Sequence, residues 1–370
     1  MPIRPPPFRA EHVGSLLRPP ALLETRRRFA RGEIDQAALT AAEDRAIADA
    51  VALQARVGLR LATDGEFRRA SYHSYFYGQL GDIAFEAPAG AAGSRGGQPR
   101  AVIRSRIAWN GPIHGADFAY LSARTRALPK ITMLPKITIP GPCALHFRGG
   151  DAAVTAQAYR DVEAFWEDIV AAFQSELRAL SAAGCRYLQI DETAFAKFGD
   201  PDVRAMLSAR GDDPDALIDT YIAVTNRVVR DVPDLRIGMH LCRGNRGGLW
   251  HAEGSYEAVA EKLFNALDIG FFFLEYDSPR AGDFLPLRFV PPDKTIVLGL
   301  VSTKTEVLED KSTLKRRIEE ASRFVDITRL ALSPQCGFAS VETGNPVSAA
   351  MQEAKLRLVV DLAQDVWGSA

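Results

Sequence analysis

Three apolar segments decide the fold: YLQIDE at residues 187–192, RIGMHLC at 236–242 and FFFLEYD at 271–277. Patterns typical of helices fill the intervals between them, at 214–229 and 256–267. Short strands that alternate with helices indicate βα units and a parallel sheet. This part of the sequence therefore predicts an α/β protein with consecutive parallel strands.

The same alternation extends over most of the chain. Eight predicted strands end within residues 11–15, 61–66, 137–142, 187–192, 236–242, 271–277, 296–303 and 330–336. Predicted helices lie near residues 36–57, 156–183, 214–229, 256–267, 311–324 and 347–366. Eight strands with intervening helices predict a (β/α)8 barrel of the TIM type. Because no long linker divides the 370 residues, we expect residues 1–370 to form a single barrel domain.

One interval is too long for a simple barrel loop. Residues 81–129 contain a Gly/Ala-rich piece at 87–97 and a predicted strand at 101–109. Unstructured loops of this length are uncommon in compact domains unless they have a function. We therefore expect an inserted hairpin or lid at about residues 81–129.

Composition excludes several classes of protein. Hydrophobic residues make up 47% of the chain and charged residues 25%, as in globular proteins and unlike disordered or collagen-like ones. The 45 basic and 46 acidic residues give a formal charge of -1, so there is no general attraction to nucleic acid or to an anionic membrane. An anionic ligand must therefore be held by a local site.

Cysteine content and the N-terminal sequence indicate the compartment. Four cysteines are too few for a disulfide scaffold in a chain of this length. The N-terminal residues lack the profile of a secretory signal, and no apolar run approaches the ~20 residues that span a bilayer. We expect a cytoplasmic enzyme with neither a membrane nor a nucleic acid as partner.

The ends of the predicted strands carry a set of metal ligands, and barrel enzymes build their active sites at these ends. His240 and Cys242 are two positions apart at the end of the fifth strand, so they share one face. Glu275 ends the sixth strand and Cys336 the eighth. One imidazole, two thiolates and one carboxylate form a complete tetrahedral set for Zn2+.

The charge of such a site indicates its chemistry. Two thiolates and a carboxylate leave the site around a dication negative, which makes it a poor activator of water. A substrate thiol bound there loses its proton and remains nucleophilic. If the substrate thiolate displaces Glu275 from the metal, the net charge of the site does not change. The pattern favours alkylation of a thiol over hydrolysis.

These residues also have simpler interpretations. A single buried cysteine is usually a small apolar core residue, which we expect for Cys143 and Cys185. A His-x-Cys pair also occurs by chance, and a zinc bound here could be structural in a protein that only binds or scavenges. Structural zinc sites are closed, however, whereas these ligands belong to three strand ends at the predicted mouth of the barrel.

Together the motifs resemble a known family. HLC at 240–242, Glu275 and PQCG at 334–337 are similar to the zinc-binding pattern of the catalytic domain of cobalamin-independent methionine synthase. Further segments look like the short, single-barrel relatives of that enzyme: HVGS at 12–15, TDGEFR at 63–68, CRGN at 242–245 and residues 333–338. The resemblance covers nearly the whole chain.

The resemblance implies a barrel that transfers a methyl group to the thiol of homocysteine, which it activates as a zinc thiolate to yield methionine. The zinc ligands that it implies are His240, Cys242, Glu275 and Cys336. Glu275 is also assigned a catalytic role, as the ligand that the thiol displaces.

The resemblance also implies the residues that bind the amino acid. Gly14 and Ser15 match the loop that holds the carboxylate, and Glu66 matches an acidic residue that contacts the substrate. Asp191 matches the catalytic residue that receives the ammonium, with Glu192 beside it. From the residues alone, Asp191 and Glu192 could equally be a paired acid and base, or Glu192 a residue at a helix N-terminus.

Neither the methyl donor nor the residue that donates a proton to it follows from the resemblance. The full-length enzyme has an additional N-terminal barrel that helps to bind a polyglutamylated folate, and this chain has no match to it. A methylfolate, a methylated corrinoid or another activated small molecule is expected. Where the large enzyme has a histidine as proton donor, this sequence has Ser302 and Lys304, and we assign Lys304 as catalytic. An ammonium is a weaker acid than an imidazolium unless burial lowers its pKa.

A second enzyme class uses the same zinc chemistry. Relatives of this barrel add coenzyme M to epoxides, and Arg243 and Arg246 lie where they could hold its sulfonate. Asp191 favours an amino acid thiol, because coenzyme M has no ammonium. A homo-oligomer is compatible with the sequence.

A basic and aromatic cluster follows Glu66. It comprises Arg68, Arg69, Tyr72, His73 and Tyr75. An anionic or flat ligand could stack there, although the solvated start of a helix explains such a cluster equally well.

Overall fold

A computed structural model describes residues 6–86, 99–129 and 132–370. The strands in these residues are β1 Leu61–Ala62, β2 Ile83–Glu86, β3 Arg100–Ile103, β4 Leu134–Pro135, β5 Ile137–Pro140, β6 Tyr187–Glu192, β7 Arg236–Leu241, β8 Phe271–Glu275, β9 Thr295–Val301 and β10 Leu330–Pro334. The helices are α1 Pro20–Ala30, α2 Gln36–Arg56, α3 Ser74–Gly78, α4 Gly115–Arg126, α5 Ala144–Phe147, α6 Gly150–Thr155, α7 Val162–Ala182, α8 Pro201–Ala209, α9 Pro214–Val229, α10 Glu257–Ala266, α11 Lys311–Ser322 and α12 Ala349–Trp367.

The centre of the molecule is a parallel sheet of six strands in the order β10-β9-β8-β7-β6-β5. Neighbours in the sheet are also neighbours in the sequence, and helices connect most of them, as the alternation predicts. Almost every residue of these strands is buried, which is usual where helices cover a parallel sheet. The predicted α/β class is confirmed.

Backbone contacts extend this sheet at both edges. β1 pairs with β4 in parallel, and only Lys136 separates β4 from β5. At the other edge, Ala10 forms an isolated parallel bridge with Leu332 of β10. The N–H of Leu16 then donates to the carbonyl of Gly65 beyond β1, at 3.1 Å. The eight predicted strand positions thus follow one another in the order of a TIM-type barrel.

The first predicted strand is wrong in its extent. Only Ala10 pairs, and residues 11–15 form no ladder. Gly14 has a φ of 144°, which takes the backbone out of the regular strand conformation before the segment reaches Ser15.

A small cluster of buried side chains is separate from the larger core. It comprises Val13, Leu61, Tyr187, Phe271, Phe273, Val297 and Ala331. Alternate residues of a strand share a face, so Glu275 continues the face of Phe271 and Phe273, and Asp191 that of Tyr187. The polar ends of β6 and β8 therefore lie above this apolar layer.

The predicted helices are present with shifted boundaries. The helix expected from residue 156 begins at Val162, because the side chain of Asp161 caps it by accepting from the N–H of Ala164 at 2.8 Å. Six helices were not predicted, namely α1, α3, α4, α5, α6 and α8. A proline at the first position nevertheless marks the starts of α1 and α8. Within the described residues, no helix is both long and apolar enough to cross a membrane.

The predicted insertion contains a hairpin. β2 and β3 pair antiparallel, with Ile83 opposite Ile103 and Glu86 opposite Arg100. The second strand ends at Ile103, earlier than the predicted strand at 101–109. The Gly/Ala-rich piece at 87–97 falls outside the described residues. Within the described residues, the expected hairpin is confirmed.

One buried amide fixes the loop that leaves β1. The side chain of Gln54 donates to the carbonyl of Thr63 and accepts from its N–H, both at 2.9 Å. The Thr63 hydroxyl in turn donates to the carbonyl of Gly14 at 2.7 Å. Helix α2 therefore positions the loops that carry Ser15 and Glu66.

We predict that Gln54→Leu lowers the free energy of unfolding by about 2–4 kcal/mol, because two buried backbone groups of Thr63 lose their partners. Equilibrium denaturation in urea measures the change. Gln36→Leu, on the exposed start of α2, is the matched control and should alter stability by less than about 0.5 kcal/mol. Equal stabilities of the two variants would contradict the role given to Gln54.

Candidate metal centre and substrate cavity

Four buried side chains converge at the ends of three strands. They are His240 in β7, Cys242 just beyond it, Glu275 at the end of β8 and Cys336 after β10, and their ligand atoms all lie within 4.8 Å of one another. The two sulfur atoms are 3.7 Å apart. His240 Nε2 is 3.8 Å from Glu275 Oε1. The set predicted from the strand ends is thus brought together.

Hydrogen bonds outside the cluster hold two of its strand ends. The hydroxyl of Tyr256 accepts from the N–H of Glu275 at 2.9 Å and donates to the carbonyl of Leu241 at 3.1 Å. Arg243 donates to the carbonyl of Glu275 at 2.8 Å and lies over the ring of Tyr256. The ends of β7 and β8 are therefore fixed relative to each other before any ligand binds.

The chemistry of these side chains fits a metal ion. Neither ring nitrogen of His240 has a hydrogen-bond partner among the described residues, and neither has Glu275 Oε1. The hydrogen bond with Cys336, together with burial, raises the pKa of the Cys242 thiol well above its ordinary value. A bound dication would satisfy these atoms and deprotonate the thiols. Two sulfurs, one nitrogen and one carboxylate oxygen form a suitable donor set.

Two buried carboxylates lie on one side of this cluster. Asp191 is the direct strand neighbour of His240 and accepts from Gln189 Nε2 at 2.6 Å. Burial, opposed by the charge of His240 and assisted by that of Glu66, raises the pKa of Asp191 to about 7. Glu66 Oε1 accepts from the Thr138 hydroxyl at 2.9 Å, and its Oε2 has no partner within the described structure. This pair can attract a positive group.

Glu66 adopts an unusual backbone conformation. Its φ is 61°, in the left-handed region that a residue with a side chain seldom occupies. Such positions cost about 1–3 kcal/mol and concentrate at functional sites. Arg18 donates to the carbonyl of Glu66 at 2.8 Å and to that of Arg69 at 2.7 Å, which holds the turn in place.

Ser15 faces the same region from the first strand position. Its hydroxyl accepts from the N–H of Ala339 at 3.3 Å. Gly337 packs directly against it, since a Cβ there would lie 2.0 Å from Ser15 Oγ. Gly14, the preceding residue, packs against Glu66, since a Cβ at Gly14 would lie 3.1 Å from Glu66 Oε1.

A single cavity of about 230 Å³ joins these groups. Of the residues predicted to form the site, the following line it: Ser15, Glu66, Asp191, His240, Cys242 and Cys336. Glu275 reaches the cluster but does not line the cavity.

Glu192 and Lys304 are placed differently from the prediction. The carboxylate of Glu192 accepts from the N–H of Ala194 at 2.8 Å and packs against Gly141, away from the cavity lining. Lys304 is buried, its Nζ has no partner among the described residues, and it also does not line the cavity. Their positions give no support to direct substrate binding by Glu192 or proton donation by Lys304.

Two basic residues of the cavity were missed by the sequence analysis. Arg148 follows β5 and Lys197 follows β6, and both line the cavity. A signal existed, because both are basic residues shortly after predicted strands. Both lie several residues past the strand ends, however, in short helical turns where strand periodicity gives no direction.

Comparison with known proteins shows which family the chain resembles. It matches the model of the family described as "Cobalamin-independent synthase, Catalytic domain" over residues 8–365. The uncharacterized protein YxjH of Bacillus subtilis is 40% identical over 369 residues, which cover 98% of this chain and 96% of the relative.

Two solved structures have a similar fold. A Listeria monocytogenes protein, proposed to be a vitamin-B12-independent methionine synthase, is 35% identical with a TM-score of 0.74 over 99% of both chains. The B12-independent methionine synthase of Shewanella sp. W3-18-1, solved with selenomethionine, has a TM-score of 0.72 over 97% of this chain and 98% of that one. At 18% identity, the second likeness shows the fold alone. The chain belongs to the cobalamin-independent methionine synthase family and matches its catalytic domain.

Proposed function

We propose that the protein is a zinc-dependent methyltransferase that transfers a methyl group to the thiol of homocysteine and forms methionine. The observation that carries the proposal is one small cavity bounded by three of the four clustered ligands and by two buried carboxylates. A short molecule that carries both a thiol and an ammonium matches this cavity, with the thiol at the clustered ligands and the ammonium at the carboxylates. His240, Cys242, Glu275 and Cys336 would hold the zinc.

Zinc supplies a Lewis acid that keeps a bound thiol deprotonated at neutral pH. The protein determines the direction from which the thiol approaches. His240, Cys242 and Cys336 line the cavity and Glu275 does not, so a thiol bound in the cavity would approach the cluster from the side of those three residues. This arrangement agrees with Glu275 being the ligand that gives way.

The other half of the cavity would orient the amino acid. Asp191 and Glu66 offer carboxylate oxygens to its ammonium, and the Ser15 hydroxyl beside Gly14 and Gly337 can donate to its carboxylate. Burial of these groups excludes water from the reacting sulfur and strengthens their electrostatic contacts.

All four cysteines are free thiols, which supports a reducing compartment, and we infer a cytoplasmic location.

A second candidate is an alkyltransferase that acts on an anionic thiol such as coenzyme M. The observation that favours it is the pair Arg148 and Arg246 in the cavity lining, since either could hold a sulfonate. Asp191 opposes it, because an anionic thiol brings no ammonium to this carboxylate, whereas Glu66 already forms an ion pair with Arg69 at 3.9 Å.

The direct test is an assay of the zinc-loaded protein with homocysteine and a panel of donors. The panel contains methylcobalamin, methylfolates and small methyl compounds, and a parallel reaction contains coenzyme M and an epoxide. Methionine is the expected product. Alkylation of coenzyme M without any formation of methionine would exchange the first candidate for the second.

We predict that Cys336→Ser removes stoichiometric zinc, because one of two thiolates is lost from a site of four ligands. Metal analysis of the purified protein measures the content. Cys143→Ser is the matched control, since Cys143 is buried outside the cluster beside the carbonyl of Tyr221. Full zinc content in Cys336→Ser would contradict the ligand assignment.

Asp191→Asn should weaken homocysteine binding about 10- to 100-fold, because a charged hydrogen bond to the ammonium is lost. A thiol of similar length without an ammonium, such as butanethiol, should bind both proteins equally. Titration calorimetry on zinc-loaded protein gives the two dissociation constants. If both thiols weaken to the same extent, Asp191 does not recognise the amino acid.

A further inference from the structure

Three basic residues in the cavity lining form what we call the basic wall. It is formed by Arg148 after β5, Lys197 after β6 and Arg246 after β7. Three successive strand ends each contribute one cation. Lys197 is 1% exposed, whereas Arg246 lies at the surface.

None of these basic side chains forms an ion pair with a carboxylate among the described residues, although the charge of Glu192 acts on Lys197. Arg148 donates to the hydroxyl of Tyr72 at 3.2 Å and to the carbonyl of Pro99 at 3.4 Å, and its Nε has no partner. Lys197 Nζ lies 5.4 Å from the centre of the Phe147 ring. Buried cations are normally paired, so a ligand that completes this wall should carry negative charge.

An aromatic surface adjoins the basic wall. His73 stacks on Phe85 of the hairpin with ring centres 4.5 Å apart, and the Arg148 guanidinium lies 5.8 Å from the same phenylalanine. Burial lowers the pKa of His73 well below its ordinary value, and the charges of Arg148, Lys197 and Arg246 lower it further. His73 and the three basic residues line the same cavity, so the aromatic surface and the basic wall adjoin each other.

The basic wall and the metal cluster are close to each other. Arg148 and Lys197 line the same cavity of about 230 Å³ as Cys242 and Cys336. One small molecule can therefore reach both. Its end at the cluster meets negative groups and its end at the wall meets positive ones, which suits a dipolar ligand.

The size of the cavity limits the second substrate. Its volume of about 230 Å³ lies below the ~300–1,000 Å³ of pockets that hold a single drug-sized ligand. Homocysteine takes part of that space. The space that remains suits a small donor.

We propose that the basic wall binds the acid group of a small dipolar methyl donor, whose methyl group is carried by a sulfonium or quaternary ammonium centre. The inference rests on the proposed homocysteine methyltransferase function and names its donor class. The homocysteine sulfur forms a bond to the methyl carbon, and the bond from that carbon to the onium centre breaks. The electron pair stays with the donor, which leaves as a neutral thioether or amine, so no proton donor is needed.

The test measures binding separately from turnover. Zinc-loaded full-chain protein saturated with homocysteine is titrated calorimetrically with dimethylsulfoniopropionate and with the matching amide, which has the same sulfonium but no acid group. The acid should bind about 10- to 100-fold more tightly than the amide, since the amide makes no charged contact with Arg148 or Lys197. Methionine should form with the acid.

Variants locate the effect. Arg148→Met and Lys197→Met keep most of the apolar stem and should reduce the preference for the acid, whereas Arg148→Lys should retain part of it. Arg178→Met, on the exposed face of α7, is the matched control and should leave both constants unchanged. Far-UV circular dichroism and zinc content confirm that each variant is folded.

Three results would overturn the inference. The acid and the amide bind equally, or Arg148→Met weakens homocysteine binding instead of donor binding, or only methylfolate or methylcobalamin yields methionine. In each case the wild-type protein still binds homocysteine, so the methyltransferase proposal survives. Failure of the wild-type protein to bind homocysteine is the separate result that rejects the proposed function together with this inference.

Discussion

Parallel pairing of neighbouring strands is the constraint on which the rest of this molecule depends. Because the strands run in one direction, every carboxyl end reaches the same edge, and the register places Asp191 opposite His240 and Glu275 opposite Gly299. The cluster and the carboxylate pair are consequences of that register. A shift by one residue would turn His240 to the other face of its strand.

The site is maintained at a cost to the fold. Buried atoms of His240, Glu66 and Glu275 lack partners in the described structure, and Glu66 keeps a left-handed backbone. The surrounding contacts offset this cost with strong, local interactions: the Gln54 amide fixes the turn before Glu66, and Tyr256 ties β7 to β8. The polar groups are thus held in position before substrate binds, which reduces the entropy lost on binding.

Sequence reasoning succeeded where a regular period determines direction. Two positions along a strand separate His240 from Cys242, so their common orientation followed from geometry alone. It failed beyond the strands. Lys304 lies after a predicted strand as Lys197 does, but only the three-dimensional path of each loop decides which of them reaches the cavity. The segment at 11–15 departed from a regular strand because of the conformation at Gly14.

Close packing against two glycines has a consequence for how this protein can vary. A Cβ at Gly337 would lie 2.0 Å from Ser15 Oγ, and one at Gly141 would lie 2.0 Å from Glu192 Oε2. A polar residue can be exchanged for another of similar size, but neither glycine can accept even a methyl group without moving a buried oxygen. Among related sequences, tolerance to substitution should therefore be low at these two positions, although neither has a side chain that could take part in the chemistry.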